Sequence, residues 1–335
     1  MTAAATSPET LVEITRGAFL DSRHRGHAVI CDAEGGIVEA WGNPQEVVLP
    51  RSSSKMLQAL PLIESGAAEA HGLTPSQLAL ACASHNGAAI HTRPVATWLE
   101  ALGLGEPDLR CGPQVPDDDE ARYGLIRAHE SPCQIHNNCS GKHAGFLTLA
   151  RHLGAGPEYV EPDHPVQRAC LAAFEEVTGE PSPGYGVDGC SAPNFACTLH
   201  GMARAMARFA AAREDGGTRE RAMVRLWQAM CTHPDLVAGE GRACTELMRA
   251  TSQPVALKTG AEGFFVAILP ERRMGLALKI ADGNTQAAEC TLAALLVRLG
   301  VLEPEHPATR RFLDAPVKNR RGIEVGRISA SPSLR

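Results

Sequence analysis

The pattern of apolar residues changes twice along the chain. Near the beginning, apolar and β-branched residues form short runs typical of strands, at residues 11–15, 27–31 and 37–41. From Pro50 onward the spacing becomes helical. Toward the end, two apolar runs, Phe264–Leu269 and Met274–Ile280, are separated by the turn sequence 270–273. This arrangement predicts a hairpin, followed by a long apolar helix over residues 285–299 and one more strand at 322–328.

The clearest helix start in the middle of the chain is Thr74-Pro75-Ser76-Gln77. It has the form of a capping box with proline at the first helical position, and it predicts a helix through about residue 83. Further helices are predicted over residues 93–102, 142–152, 165–178, 194–213 and 219–230.

Strands at both ends of a helical middle predict an α+β fold. The N- and C-terminal strands are expected to form one antiparallel sheet, with a helical subdomain inserted between them. We therefore interpret residues 1–335 as a single domain. Its sheet part comprises about 8–50 and 255–330, and its helical part about 51–254.

Composition narrows the functional classes. A net charge of −6 gives no reason to expect a nucleic acid or an anionic membrane as a partner. Neither a signal peptide nor a run of about 20 apolar residues is visible. The 11 cysteines are odd in number and scattered, which favours reduced thiols over disulfides. These features together predict a cytoplasmic protein.

Lysine is rare in this chain. The 32 basic residues include only five lysines, namely Lys55, Lys142, Lys258, Lys279 and Lys318. A buried lysine can lose its proton and act as a base or a metal ligand, whereas arginine stays protonated. Three of the five lie in candidate chemical motifs.

The first motif is Ser52-Ser53-Ser54-Lys55. Residues three apart share one face of a helix, so Ser52 and Lys55 can meet there. A serine hydroxyl becomes nucleophilic when a neighbouring base takes its proton, and a desolvated lysine can be that base. The alternative is that these serines cap a helix.

Two further motifs follow in order, Ser84-His85-Asn86 and Lys258-Thr259-Gly260. Separately, they could be a polar helix cap, with Gly87 left-handed, and a surface lysine. Together with S-x-x-K they have the order found in serine β-lactamases and penicillin-binding proteins. Only 29 positions (84 minus 55) separate Lys55 from Ser84, which is short for a β-lactamase. We therefore favour a serine–lysine site that cleaves another amide.

A fourth group is rich in thiols. Cys139 and His143 are four residues apart and could bind one metal ion, with Cys190 as a third ligand. A site with three protein ligands would leave a fourth position open for water or substrate. The alternative is a pair of buried thiols beside a glycine-rich turn. Sequence physics leaves both possibilities open.

These motifs together resemble the bacterial asparaginase II family, the inducible class 3 L-asparaginases. The resemblance extends over roughly residues 11–302, and it is carried by five segments, at residues 50–55, 83–87, 138–145, 188–194 and 257–263. It implies a serine β-lactamase and glutaminase-like fold, usually as a homodimer, and hydrolysis of L-asparagine to L-aspartate and ammonia.

The resemblance also implies roles for individual residues. Two serine–lysine pairs would be Ser52 with Lys55 and Ser84 with Lys258, with Ser52 as the nucleophile. Zinc would be held by Cys139, Lys142 and Cys190, which makes His143 a neighbour of the metal. Substrate contacts are expected from Arg51, Asn86, Asp188, His143 and Cys244. Ser191 stands where this resemblance leads us to expect glycine.

Three alternatives remain at this level. The same machinery could serve a glutaminase or a broader amidase or esterase. A β-lactam-type enzyme would be labelled covalently by a penicillin. A non-catalytic zinc-binding regulator would bind metal tightly and hydrolyse no amide.

Overall fold

The computed structural model describes residues 7–335. The strands are, in chain order, β1 (Glu9–Arg16), β2 (Phe19–Cys31), β3 (Ile37–Trp41), β4 (Val47–Val48), β5 (Tyr185–Val187), β6 (Pro193–Phe195), β7 (Cys197–Thr198), β8 (Ala256–Gly260), β9 (Phe264–Leu269), β10 (Met274–Ile280), β11 (Pro316–Lys318) and β12 (Glu324–Ala330).

The α-helices are α1 (Lys55–Gln58), α2 (Leu60–Glu64), α3 (Ala67–Ala70), α4 (Pro75–Ala81), α5 (Ala89–Ala101), α6 (Asp119–Ala128), α7 (Ser140–His152), α8 (Pro165–Thr178), α9 (Leu199–Ala211), α10 (Thr218–Thr232), α11 (Pro234–Ala238), α12 (Ala243–Ala250), α13 (Thr285–Arg298) and α14 (Pro307–Phe312). Short 3-10 helices occur at Arg51–Ser54, Glu106–Asp108, Gln134–His136, Pro270–Arg272 and Pro332–Leu334. None of the helices in this part of the chain combines the length and apolarity needed to cross a membrane.

The chain forms two compact units. The sheet unit consists of the residues up to Ser53, of Cys197–Ala211 and of the residues from Glu246 onward. The helical unit consists of Ser54–Ala196 and Ala212–Thr245. The predicted α+β class is confirmed, because an antiparallel sheet built from both ends of the chain accompanies an inserted run of helices.

The main sheet places N-terminal strands between C-terminal ones. Its order is β11-β12-β1-β2-β10-β9-β8, with β3 also paired to β2, and the pairs are antiparallel. Strand β2 is aligned with β10 so that Val29 faces Ala277. Both ends of the chain are therefore needed to complete the sheet.

The core of the sheet unit is centred on β9 and β10. Every residue of β9 is buried, as expected for a strand covered on both faces, and α9 and α13 both contact it. Helix α9 approaches β10 at Gly275, where a Cβ atom would collide with the backbone of Ala203 and Ala207. Glycine is required there by this close approach.

The helical unit contains the predicted capping box. Thr74 N–H donates to Gln77 Oε1 (2.9 Å), and Gln77 N–H donates to Thr74 Oγ1 (3.4 Å). The helix that they begin, α4, packs against α7 and α10 but ends at Ala81, earlier than predicted. Helix α7 is buried from Ser140 to Ala150, which fixes the position of the side chains at its start.

One predicted helix is wrong over its first part. Residues 194–198 are not helical, since β6 pairs with β5 and β7 pairs with β4, and α9 begins only at Leu199. Strand pairing within each unit overrides the local helical preference of this segment.

Candidate active site

The three consecutive serines differ in exposure. Ser52 is partly exposed, whereas Ser53 and Ser54 are buried. Ser54 occupies the N-cap position of α1 without a side-chain capping bond, so the interpretation of this serine as a cap fails. Arg51 has a φ of +52°, a left-handed conformation that costs a non-glycine residue roughly 1–2 kcal/mol. Such strain is concentrated at functional sites.

The sheet unit brings the serine turn and the start of the Lys258-Thr259-Gly260 strand together. Ser53 Oγ donates to the Lys258 carbonyl (3.2 Å). A Cβ at Gly260 would come within 2.6 Å of Pro50 O and 2.8 Å of Ser53 Oγ, so the close approach requires glycine. Lys258 is fully buried, and its amine donates to the Thr259 carbonyl (2.8 Å).

Arg51 lines a cavity of about 510 Å³ in the sheet unit. Glu262, which also has a left-handed backbone, and Lys279 line the same cavity. The structure thus places the predicted substrate-binding arginine among charges of both signs.

In the helical unit, Lys55 is fully buried among polar groups. Its amine contacts the Ala83 carbonyl, Ser84 Oγ at 3.0 Å and Cys139 Sγ at 3.1 Å. An amine in hydrogen-bond contact with a hydroxyl can exchange a proton with it, which general acid–base chemistry requires.

The segment around Ser84 is not a helix cap, because α4 already ends at Ala81. Instead, the backbone N–H of Ser84 donates to Val237 O (2.9 Å), and that of His85 donates to Asn138 O (3.2 Å). Asn86 Oδ1 accepts the Ala88 N–H (3.2 Å). These bonds fix the serine relative to two other segments of the same unit. Gly87 does have a left-handed φ of +80°, as predicted, but within this loop.

The predicted metal ligands form a second group in the helical unit. Lys142 Nζ lies 3.0 Å from Cys190 Sγ, and both residues are buried. A hydrogen bond from Cys139, together with the charge of Lys142, outweighs burial and holds the pKa of the Cys190 thiol well below its usual value. The hydrogen bond to Cys190, together with burial, raises the pKa of Cys139. Burial by itself would lower the pKa of Lys142. The negative charges that Cys190 and Cys139 carry as thiolates outweigh burial and raise the pKa of Lys142.

This group fits zinc in its donor chemistry. Two thiolates and one nitrogen suit a zinc site with an open fourth position. Within residues 7–335, no three His, Cys, Asp or Glu side chains form a metal-binding group, and the Lys142 amine is needed to complete the set.

His143 is buried beside this group and bound to a residue that the sequence did not single out. Its Nδ1 lies 2.9 Å from the hydroxyl of Tyr159. Burial lowers the pKa of His143 to about 4, so the ring is neutral at pH 7. Tyr159 lies in no recognisable motif, and only its rarity, as one of three tyrosines, sets it apart.

Asp188 and Ser191 form a tight turn between β5 and β6. Asp188 N–H donates to Ala192 O (3.0 Å), and Ser191 N–H donates to Asp188 O (2.9 Å). Ser191 has a φ of +69°, the region that favours glycine, which is the residue expected from the family resemblance. Cys244 is buried in the first turn of α12.

Comparison with known families decides the identity of this arrangement. The model of the L-asparaginase II family matches residues 12–330. The chain belongs to this family. L-asparaginase II proteins are amidohydrolases.

Solved structures with similar folds are distant from this L-asparaginase II chain. The native form of Mglu has 13% identity, a TM-score of 0.46 and coverage of 84% of this chain and 66% of its own. A beta-lactamase/D-alanine carboxypeptidase from Pseudomonas syringae has 10% identity, a TM-score of 0.43 and coverage of 82% and 93%. The chain thus spans slightly less than two thirds of the Mglu structure. No curated protein matches the sequence significantly. At these TM-scores, the description of the fold rests on the strands and helices themselves.

The L-asparaginase II motifs are distributed over the two units. The sheet unit holds Arg51, Ser52 and Lys258, while the helical unit holds the other predicted site residues, namely Lys55, Ser84, Asn86, Cys139, Lys142, His143, Asp188, Cys190 and Cys244. The pairing observed within the helical unit is Lys55 with Ser84.

Proposed function

We propose that this L-asparaginase II chain hydrolyses the side-chain amide of L-asparagine to L-aspartate and ammonia, through an aspartyl ester on Ser52. The observation that carries this proposal is the fully buried Lys55, whose amine contacts a serine hydroxyl, a carbonyl and a thiol. A lysine can act as a base only in its unprotonated form.

The exposure of the serines supports Ser52 as the nucleophile. A nucleophile must be reached by the substrate, and Ser52 is the partly exposed member of the three. Ser53 is buried and uses its hydroxyl to bind the Lys258 carbonyl, which is a structural role.

The reaction would proceed in two stages. In the first, Lys55 takes the proton of Ser52, and Ser52 Oγ bonds to the amide carbon of asparagine. The carbon–nitrogen bond then breaks, and Ser84 and Lys258 relay a proton to the departing ammonia. In the second stage, water attacks the aspartyl ester, and aspartate leaves as the Ser52 proton is restored.

Substrate selection would come from charge and hydrogen bonding. Asparagine is a zwitterion, so Arg51 would bind its α-carboxylate and Asp188 its ammonium. Asn86, His143 and Cys244 would contribute further contacts. Binding by one positive side chain, Arg51, and one negative side chain, Asp188, would favour a free amino acid over an uncharged amide.

We also propose that Cys139, Lys142 and Cys190 hold zinc. When bound, the ion would order the substrate pocket and could polarise a substrate oxygen. This assignment rests on the donor set, and metal analysis of purified protein tests it. A homodimer, which the family resemblance implies, is tested separately by light scattering.

The test of function is ammonia release from L-asparagine and L-glutamine in parallel. The variants are Ser52→Ala and, as a matched control, Ser333→Ala, which alters an exposed serine. We expect release from asparagine that Ser52→Ala abolishes and Ser333→Ala retains. Ammonia release from glutamine but not from asparagine would show that glutamine is the substrate. Unchanged ammonia release by Ser52→Ala would exclude Ser52 as the nucleophile.

A further inference from the structure

We propose that a cavity in the sheet unit binds a small organic phosphate. The cavity has a volume of about 600 Å³, and its lining residues all lie between Ala294 and Arg335, in and around α13, α14 and β12. None of them is a predicted site residue, so this binding does not depend on the proposed function. The volume is within the range of roughly 300–1,000 Å³ found for small-molecule sites.

The segment that forms most of this cavity is basic, although the chain as a whole is acidic. Residues 304–335 include seven Lys and Arg residues and three Asp and Glu residues, a net charge of +4 (7 minus 3), whereas the whole chain carries −6. Such a local excess of positive charge attracts small anions and raises their concentration near the surface. The ligand is therefore expected to be negatively charged.

Four arginines line the cavity, namely Arg298, Arg310, Arg327 and Arg335. The hydrogen-bonding groups of Arg298 are already occupied. Its Nε and Nη2 bind the Glu39 carboxylate (2.9 and 2.7 Å), and its Nη1 donates to the Arg335 carbonyl (2.6 Å). Arg298 also lies over the Trp41 ring, 5.6 Å from its centroid. This arginine is a fixed part of the cavity wall.

The other three arginines keep most of their donors for a ligand. Each uses one nitrogen, Nη2, for an ion pair, and the pairs are Arg310 with Glu305, Arg327 with Glu324 and Arg335 with Asp314. Their side chains make no hydrogen bond to any other group within residues 7–335, so Nε and Nη1 of each are open to a ligand. Ion pairs near the surface contribute little to stability, so they do not prevent the guanidinium groups from rearranging around a ligand.

The number and origin of these donors favour phosphate over carboxylate. Guanidinium groups form paired, charge-assisted hydrogen bonds with both. A carboxylate has two oxygens in one plane, whereas a phosphate monoester has three acceptor oxygens that point in different directions. Three arginines from three separate parts of the fold can therefore share one phosphate more readily than one carboxylate.

The rest of the lining favours a ligand with an apolar part. Ala294, Val297 and Leu313 line the cavity together with Pro304 and Pro316. Removing apolar ligand surface from water against such side chains is favourable. An organic phosphate would use both the arginines and the apolar lining, whereas inorganic phosphate would use the arginines alone.

Calorimetric titration of the purified protein with three matched ligands tests the proposal. Phenyl phosphate has an aromatic ring and a phosphate, inorganic phosphate lacks the ring, and phenylacetate has a carboxylate in place of the phosphate. We expect phenyl phosphate to bind one site per chain, at least several-fold more tightly than either of the other ligands. No binding of phenyl phosphate, or equal or tighter binding of either other ligand, would overturn the proposal.

Two arginine variants locate the site. Arg327→Gln removes one of the open guanidinium groups. Arg23→Gln removes an exposed arginine of the same unit that is likewise paired with a carboxylate, that of Glu13 (2.8 Å), but does not line the cavity. Because hydrogen bonds to charged groups are among the stronger ones, we expect the Kd for phenyl phosphate to rise by about tenfold or more in Arg327→Gln and to stay unchanged in Arg23→Gln. Equal changes in Kd would mean that net charge alone attracts the ligand, and would overturn the site.

Glu305→Gln tests the same site in the opposite direction, at an exposed position. The substitution removes a negative charge from the lining and releases Arg310 from its ion pair. We expect the Kd for phenyl phosphate to fall several-fold, whereas Glu271→Gln, at an exposed glutamate outside the cavity, should leave the Kd unchanged. An unchanged or higher Kd in Glu305→Gln would overturn the proposal.

Discussion

The amine of Lys55 lies 3.0 Å from the hydroxyl of Ser84, and both groups are buried in the helical unit. The family resemblance pairs Lys55 with Ser52, three residues earlier. A lysine that also contacts Ser84 can pass a proton onward after taking it from the nucleophile. In the proposed mechanism, Lys55 is therefore the first base and Ser84 the hydroxyl that continues the relay.

Replacing Lys55 by arginine should remove the general base of the proposed mechanism, because a guanidinium group stays protonated and cannot accept a proton. We expect kcat for asparagine to fall by at least about 100-fold, the lower range of a general-base contribution. In Lys55→Met, whose side chain is uncharged and of similar length, kcat should fall by a similar factor. Lys318→Arg, at an exposed lysine, is the control. Near-wild-type turnover in a folded Lys55 variant would show that another group is the base.

Replacing Lys142 by arginine should remove zinc from the purified protein. A lysine amine can bind a metal after losing its proton, whereas guanidinium offers no such lone pair. Zinc per chain, measured by elemental analysis, should fall from about one to near zero, and Lys318→Arg should retain it. Full zinc content in Lys142→Arg would show that the metal is held by other ligands.

Replacing Ser191 by glycine should stabilise the protein. Its left-handed backbone, with φ of +69°, is strained for serine and unstrained for glycine. We expect the free energy of unfolding in urea to rise by about 1 kcal/mol, while Ser22→Gly in strand β2 should lower it by a similar amount. If Ser191→Gly and Ser22→Gly lowered the free energy of unfolding equally, the turn would hold Ser191 without strain.

His91 should make the protein less stable in acid. Burial lowers the pKa of this histidine, so the unfolded chain binds a proton that the folded chain resists. Its contribution to stability is complete above the unfolded pKa of about 6.5 and is lost as pH falls below that value, by at most about 1.4 kcal/mol per pH unit.

His91→Gln tests this contribution in urea unfolding at about pH 7 and about pH 5. The variant should lose less stability than wild type on acidification, because glutamine does not titrate. His143, whose pKa is lowered to about 4, should destabilise both proteins in acid. An equal loss of stability in wild type and in His91→Gln would exclude His91 as a contributor to the acid sensitivity.

Elements with strong local signals were predictable. Strands β9 and β10 have the predicted bounds, since long buried strands appear as continuous apolar runs. Helix α8 also has its predicted bounds, with proline at the start and glycine after the end. Strands β5, β6 and β7 are only two or three residues long, too short to show a periodic pattern, and β7 pairs with the distant β4.

The same distinction applies to the site. Short motifs identified Ser52, Lys55, Ser84 and Lys258 because serine–lysine chemistry requires particular spacings. The contact of Lys55 with Cys139 spans 84 positions, and no periodicity predicts it. The contact of Tyr159 with His143 is likewise marked by no motif, since folding alone brings the two residues together.

The most direct test of the account is the mass of the protein quenched in acid during turnover of L-asparagine. We predict the added mass of one aspartyl group, located by fragmentation on Ser52 and absent from Ser52→Ala. Because hydrolysis of the ester can be faster than the quench, hydroxylamine is added in a parallel reaction, and we predict that it captures the acyl group as aspartyl hydroxamate. An adduct on a different residue, or ammonia release by Ser52→Ala at the wild-type rate, would contradict the proposed mechanism.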